Sequence, residues 1–148
     1  MRIYFAGPLF AVYERDYIAR CAARLRAAGI ACWVPHEQLA QVHDVTAVLV
    51  YQKDSEGLAG ADAMVAILDG AQVDDGTACE IGIFATLMQA DPTKKGIVGL
   101  LTDLRSQRLG DLQEGKGVNL FVLGCIEAHG RVVGDVDAAI ALLREWGA

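Results

Sequence analysis

Residues 63–82 read Ala63-Met64-Val65-Ala66-Ile67-Leu68-Asp69-Gly70-Ala71-Gln72-Val73-Asp74-Asp75-Gly76-Thr77-Ala78-Cys79-Glu80-Ile81-Gly82. Ala63–Leu68 is apolar without a break, a length suited to a strand rather than a helix. A strand with no polar alternation is buried on both faces, the situation of a central strand in a parallel sheet. Asp69–Gly76 follows as a polar loop with two glycines, and a helix is expected from Thr77 to about Gln89. Strand, loop and helix in this order form the repeating half of a βαβ unit.

The same alternation runs outward in both directions. Upstream, Arg2–Ala6 is a strand candidate closed by Gly7-Pro8. From about Tyr13 to Ala28, Ile18, Cys21, Ala22 and Leu25 recur at helical spacing among four arginines, and Gly29 ends the helix. Ile30–Val34 is a second strand, cut off by Pro35; a looser stretch, His36–Asp44, leads into a helical segment ending near Gly60. Downstream, Gly96–Leu101 is a fourth strand and Asp103–Gly117 a charged loop. A short strand within Cys125–Val133 and a last helix, Asp135–Trp146, complete the chain. The expected fold class is α/β: a flavodoxin-like doubly wound sheet of about five parallel strands, with helices on both faces. One domain spanning 1–148 is expected from the length.

The 148 residues carry 13 basic and 19 acidic side chains, a net charge of −6. That balance argues against nucleic acid as a partner. An apolar fraction of 53% with 22% charged residues argues against a disordered chain. Cys21, Cys32, Cys79 and Cys125 show no C-x-x-C spacing, and His36, His43 and His129 lie far apart, so no metal site is expected. The thiols are expected to be free and mostly buried. The N-terminus is too short for a signal peptide and no apolar run reaches the ~20 residues that span a bilayer. A cytoplasmic protein with no membrane contact is expected.

In doubly wound sheets ligands bind beyond the carboxyl ends of the strands. That rule gathers Gly7-Pro8-Leu9-Phe10, the loop after Val34 and Asp69–Gly76 into one crevice. Asp69, Asp74, Asp75 and Glu80 fall there within twelve residues, uninterrupted by a basic residue. Like charges so close raise one another's pKa, and paired carboxyl groups are what glycoside cleavage uses. A local reading competes: Thr77-x-x-Glu80 fits a capping box, and Asp74 and Asp75 suit a helix N-terminus. Gly7-Pro8 reads as a plain turn or a place where a ligand approaches the backbone. Taken singly, Asp54 reads as a solvated helix residue, Asn119 as a loop or capping residue and Tyr4 as core. No P-loop or dinucleotide fingerprint is present.

Taken together these pieces resemble the nucleoside 2-deoxyribosyltransferase family. The matching segments are Ile3-Tyr4-Phe5-Ala6-Gly7-Pro8, Asp54, Ala61-Asp62, Asp69-Gly70, Val73 through Gly82 and Val118-Asn119-Leu120, from residue 3 to about 123. The specific part is Asp74-Asp75-Gly76-Thr77-x-x-Glu80-Ile81-Gly82. The resemblance implies that Glu80 is the nucleophile, that Asp74 binds the sugar hydroxyls and that Asp54 moves the nucleobase proton. It implies that Tyr4 holds the Glu80 carboxylate and that Gly7, Pro8, Asp69, Asp75 and Gly76 belong to the substrate site. Asn119 matches a residue lent to a neighbouring subunit, which implies a homo-oligomer, and Phe121 would line that shared pocket. In the base-facing loop, Gln38 is the candidate for reading the base edge. A departure lies at the C-terminus: family members often place an aromatic residue there in the site, whereas this chain ends Glu145-Trp146-Gly147-Ala148.

The implied reaction transfers a 2-deoxyribosyl group between nucleobases through a covalent glutamyl intermediate with net retention. Its partners are a deoxynucleoside and a free nucleobase, with no cofactor. One alternative is an N-glycoside hydrolase that passes the intermediate to water, acting on deoxynucleosides or their 5′-monophosphates. The Gly7–Ala11 loop offers no phosphate donor, which favours free nucleosides. An alternative of another class is a non-catalytic nucleotide-sensing module.

Overall fold

The computed structural model describes residues 1–105 and 117–147. The elements in order are β1 (Arg2–Ala6), α1 (Val12–Ala27), β2 (Ala31–Trp33), α2 (Pro35–Gln38), α3 (Ala47–Ala59) and β3 (Ala63–Ile67). They continue with α4 (Asp75–Ala90), β4 (Gly96–Leu100), α5 (Leu120–Glu127), β5 (Gly130–Val133) and α6 (Val136–Glu145). The strands form one sheet in the order β2-β1-β3-β4-β5 with every pairing parallel. This is the flavodoxin-like order, whose switch point lies between β1 and β3. The fold expected from the sequence is the fold observed.

All five residues of β3 are buried, and it pairs with β1 on one side and β4 on the other. Alternation along β1 splits the core into two layers. Ile3 and Phe5 face α1 and α6, against Ile18, Leu25, Val136 and Leu143. Tyr4 and Ala6 face the other layer, where Leu58 of α3, Phe84 of α4 and Ile126 of α5 pack. Tyr4 is thus core by burial, with its ring stacked on Trp33 at 4.9 Å between centroids.

Several boundaries differ from expectation for local reasons. α4 begins at Asp75, not Thr77, because the Asp74 carboxylate accepts from the Thr77 amide and becomes the N-cap. β2 is shorter than Ile30–Val34, being an edge strand paired over Arg2, Ile3 and Tyr4 alone. The looser stretch after it contains α2, with Pro35 at its first turn, where a missing amide costs nothing. Residues 106–116 of the expected charged loop lie outside the described residues. Of the four cysteines only Cys21 is fully buried and Cys79 is exposed, and none is in a disulfide. No described helix is long and apolar enough to cross a membrane.

Two contacts seat α3 against the sheet layer. Gly57 lies so close to Trp33 that a Cβ there would meet the indole at 2.7 Å. The buried Lys94 ammonium donates to the carbonyls of Leu58, Ala59 and Ala61 at 3.4, 3.0 and 2.7 Å, closing the C-terminal end of the helix. Asp54, one turn before Gly57, is carried with α3 to the sheet edge.

Candidate active site

The capping and the catalytic readings of the carboxylate cluster divide between different residues. Asp74 Oδ2 accepts from the Thr77 amide at 3.0 Å and from its hydroxyl at 3.1 Å, so Asp74 is the cap. The Thr77/Glu80 capping box is not formed: Thr77 is inside the helix and buried, and Glu80 does not reach back. Glu80 instead accepts a hydrogen bond at 2.5 Å from the hydroxyl of Tyr4.

Glu80 opens into a cavity of about 400 Å³, the size of a small-molecule site. Its walls are Gly7, Leu9 and Phe10 after β1, Pro35, His36 and Leu39 after β2, Val50 and Asp54 of α3, and residues 74–77 at the start of α4. The four segments meet there because each follows or faces the carboxyl end of a strand. The lining is largely apolar outside the carboxyl groups, which makes ionisation expensive. Burial pushes Glu80 up to about 7, with the Tyr4 hydrogen bond lowering it and the charges of Asp54 and Asp74 raising it further. Burial likewise pushes Asp54 up to about 6. The Tyr4 hydroxyl is driven far above its ordinary range by burial first and Glu80 second, so it stays a donor. Both carboxyl groups are therefore raised toward neutrality in one cavity.

Two buried polar atoms of residues that line this cavity have no hydrogen-bond partner among the described residues: Asp54 Oδ1 and His36 Nδ1. His36 was not among the residues singled out by sequence. Its one signal is its position directly after Pro35, at the carboxyl end of a strand.

Of the expected site residues, the structure brings Gly7, Asp54, Asp74, Asp75, Gly76 and Glu80 together around one cavity, with Tyr4 hydrogen-bonded to Glu80. It separates the others. Pro8 and Asp69 line an adjoining cavity of about 340 Å³ with Tyr17, Arg20 and Thr102. The Asp69 carboxylate is occupied in tying β3 to the end of β4, accepting from the Thr102 amide and hydroxyl, both at 2.6 Å, and from the Asp103 amide at 3.2 Å. Gln38 is exposed and its amide donates to the Val34 carbonyl at 3.4 Å, while Pro35, His36 and Leu39 of the same segment face the cavity. Asn119 caps α5, accepting from the amides of Phe121 at 2.9 Å and Val122 at 3.3 Å. Asn119 and the 79%-exposed Phe121 border a separate hollow with Gln72 and Val73. Trp146 packs against Gly96 at the start of β4, the end of the sheet opposite the cavity.

A doubly wound parallel sheet with two carboxyl groups raised by burial in one cavity at its switch point is the setting of an enzyme of carboxylate chemistry acting on a small molecule. The chain belongs to the nucleoside 2-deoxyribosyltransferase family, whose model matches residues 3–132. Among solved structures, a conserved protein from Enterococcus faecalis V583 is similar with a TM-score of 0.78 and 29% identity, over 97% of each chain. A 2-deoxyribosyltransferase from Leishmania mexicana gives 0.68 and 23% over 99% of each chain. A 2-deoxyribosyltransferase from Bacillus psychrosaccharolyticus gives 0.67 and 20%, covering 95% of this chain and 90% of that one. The last two likenesses speak for the fold. A comparison with curated proteins found no match. Family membership sets the activity class as nucleoside deoxyribosyl transfer or N-glycoside cleavage.

Proposed function

We propose that this enzyme moves a 2-deoxyribosyl group from one nucleobase to another through a covalent ester on Glu80. The observation that carries the reading is Glu80 held by Tyr4 in the cavity that Asp54 enters from α3. In the first half-reaction the ionised Glu80 attacks C1′, and the electron pair of the C1′–N bond leaves with the base. Asp54, kept partly protonated by burial, supplies the proton that makes the base a neutral leaving group. In the second half, an incoming base loses its proton to Asp54 and attacks C1′, and the electron pair of the C1′–O bond returns to Glu80 as carboxylate. Two inversions give net retention.

The remaining groups fit that chemistry. Asp74 spends one oxygen on Thr77 and leaves the other for a sugar hydroxyl. Gly7, Asp75 and Gly76 form the wall beside the sugar. The carboxylates stabilise the cationic sugar as the glycosidic bond stretches, an electrostatic contribution strengthened by the apolar walls. A 2-deoxy sugar lacks an electron-withdrawing hydroxyl and reaches that transition state more readily than a ribosyl group. Asn119 and Phe121, away from the cavity of their own chain, would complete the cavity of a neighbouring subunit in a homo-oligomer.

Incubation of deoxyinosine with free adenine tests the reading. Deoxyadenosine is the expected product; free deoxyribose without exchange would instead identify a hydrolase, and no turnover of any nucleoside a sensing module.

A further inference from the structure

Tyr4 and Trp33 are register partners in the parallel pair of β1 and β2, and their rings stack with 4.9 Å between centroids and 19° between planes. The same indole also meets α3. A Cβ at Gly57 would lie 2.7, 2.8 and 2.8 Å from its Cδ2, Cε2 and Cε3 atoms, so only a glycine lets the helix come this close. Trp33 is buried and does not line the cavity. Its two neighbours nevertheless support both carboxyl groups: Tyr4 donates to Glu80, and Gly57 lies three residues after Asp54 on α3.

A hydrogen bond weakens steeply as its donor moves out of line, so the hold of Tyr4 on Glu80 depends on how firmly the phenol is kept in place. The strand fixes the Tyr4 backbone, but the hydroxyl sits at the far end of two side-chain torsions. A stacked ring that cannot itself move limits both. The indole is such a ring, because the α3 backbone at Gly57 leaves it no space to turn aside.

We propose that Trp33 is a positioning residue: wedged between Gly57 and Tyr4, it transmits the seat of α3 to the Tyr4 hydroxyl and so fixes Glu80 relative to the helix that carries Asp54. It touches no substrate and moves no proton. The inference deepens the transfer reading above and rests on it for the roles of Glu80 and Asp54. The groups that act on the Glu80 charge are Tyr4 from β1, Asp54 from α3 and Asp74 at the start of α4, and His36 of α2 lines the same cavity. Of the first three only Tyr4 lowers Glu80, so a loosened indole reaches Glu80 as a rise.

NMR titration of the Glu80 carboxyl carbon tests this without turnover, using isotope-labelled glutamate and Glu80→Gln to assign the signal. Wild type, Trp33→Leu, Tyr4→Phe and the double variant are compared. The expected midpoint is near 7 in the wild type and higher by about 0.4–1 pH unit in Trp33→Leu, the worth of a stacked aromatic pair. The double variant should titrate like Tyr4→Phe alone, because the indole acts through the hydroxyl missing there. Trp33→Phe, which keeps a flat ring against Tyr4, should titrate closer to wild type than Trp33→Leu does. Trp33→Met, flexible and without a flat face, replaces Trp33→Leu if that variant does not fold. An unmoved midpoint in Trp33→Leu would make Trp33 a core residue and nothing more, and a lower one would mean that it only excludes water. Equal rises with and without the Tyr4 hydroxyl would bypass Tyr4, and equal rises in Trp33→Phe and Trp33→Leu would remove the role of the flat ring. Each of these overturns the proposal. The deoxyinosine–adenine exchange is assayed on the same wild-type sample: the titration pattern without exchange keeps the Trp33 linkage and removes the transfer reading, whereas exchange with an unmoved midpoint does the reverse.

Discussion

The hydroxyl of Tyr4, on the first strand, donates to Glu80 Oε1 at 2.5 Å across 76 residues of sequence. This bond is the one influence lowering Glu80 against burial and two neighbouring carboxylates. Tyr4→Phe keeps the ring stacked on Trp33 and removes only the donor. Glu80 then rises further and is less often the ionised nucleophile. A loss of about 10–100-fold in kcat/KM is expected, the cost of a hydrogen bond to a charged group. The pH profile should be bell-shaped in the wild type, with limbs near 6 and 7, and in the variant the upper limb should move to higher pH while the lower stays.

The proton on Glu80 also couples activity to stability. Its folded pKa of about 7 lies above the ordinary 4.5, so the native state binds the proton more tightly than the unfolded chain. Stability from this group is therefore complete below about 4.5 and is lost as pH rises through about 7. Glu80→Gln should abolish exchange yet raise stability at pH 8 by on the order of 1–3 kcal/mol. Thermal melts of the two proteins should converge near pH 4; equal melting temperatures at both pH values would contradict the burial argument.

Asp54→Asn removes the leaving-group proton and should slow deoxyinosine by about 10²–10⁴-fold. A 7-methylated purine deoxynucleoside already carries its positive charge and departs without protonation. With that donor, formation of the glycosyl-enzyme should fall by less than about tenfold. Comparable losses with both donors would take Asp54 out of proton transfer.

Gly57→Ala puts a methyl group 2.7 Å from an indole that is itself stacked on Tyr4. Neither ring has room to yield, so α3 must lift and carry Asp54 away from Glu80. A destabilisation of about 1–3 kcal/mol by denaturant titration is expected, together with a fall in kcat. Gly82→Ala, where an added Cβ meets nothing within 4 Å, is the control and should cost neither.

If Asn119 completes a neighbour's cavity, Glu80→Ala and Asn119→Ala lack different halves of a shared site. Each alone should be inactive or strongly impaired. Mixed after partial dissociation, they should recover up to about a quarter of wild-type exchange in a dimeric pairing, from sites that draw both intact residues. No recovery in a mixture shown by mass to contain both chains would confine each site to one subunit.

Much of this protein is legible without its structure because the relevant physics is local. An unbroken apolar run at Ala63–Leu68 can be covered on both faces only in the middle of a parallel sheet, and β3 sits there. The Asp74-to-Glu80 motif declares a helix start, since capping depends on a few neighbouring dihedrals. What the sequence could not apportion was the use of each carboxylate. Asp69 and Asp74 stand five residues apart in one acidic run, yet Asp69 fastens β3 to β4 and Asp74 caps the helix beside the cavity. Gln38 and His36 are two residues apart, and the turn of α2 exposes one while giving the other to the cavity. The Tyr4–Glu80 bond and the arrival of Asp54 at the same cavity depend on strand register and on α3 settling against Trp33. Those are packing decisions made between distant segments, and only the tertiary structure contains them.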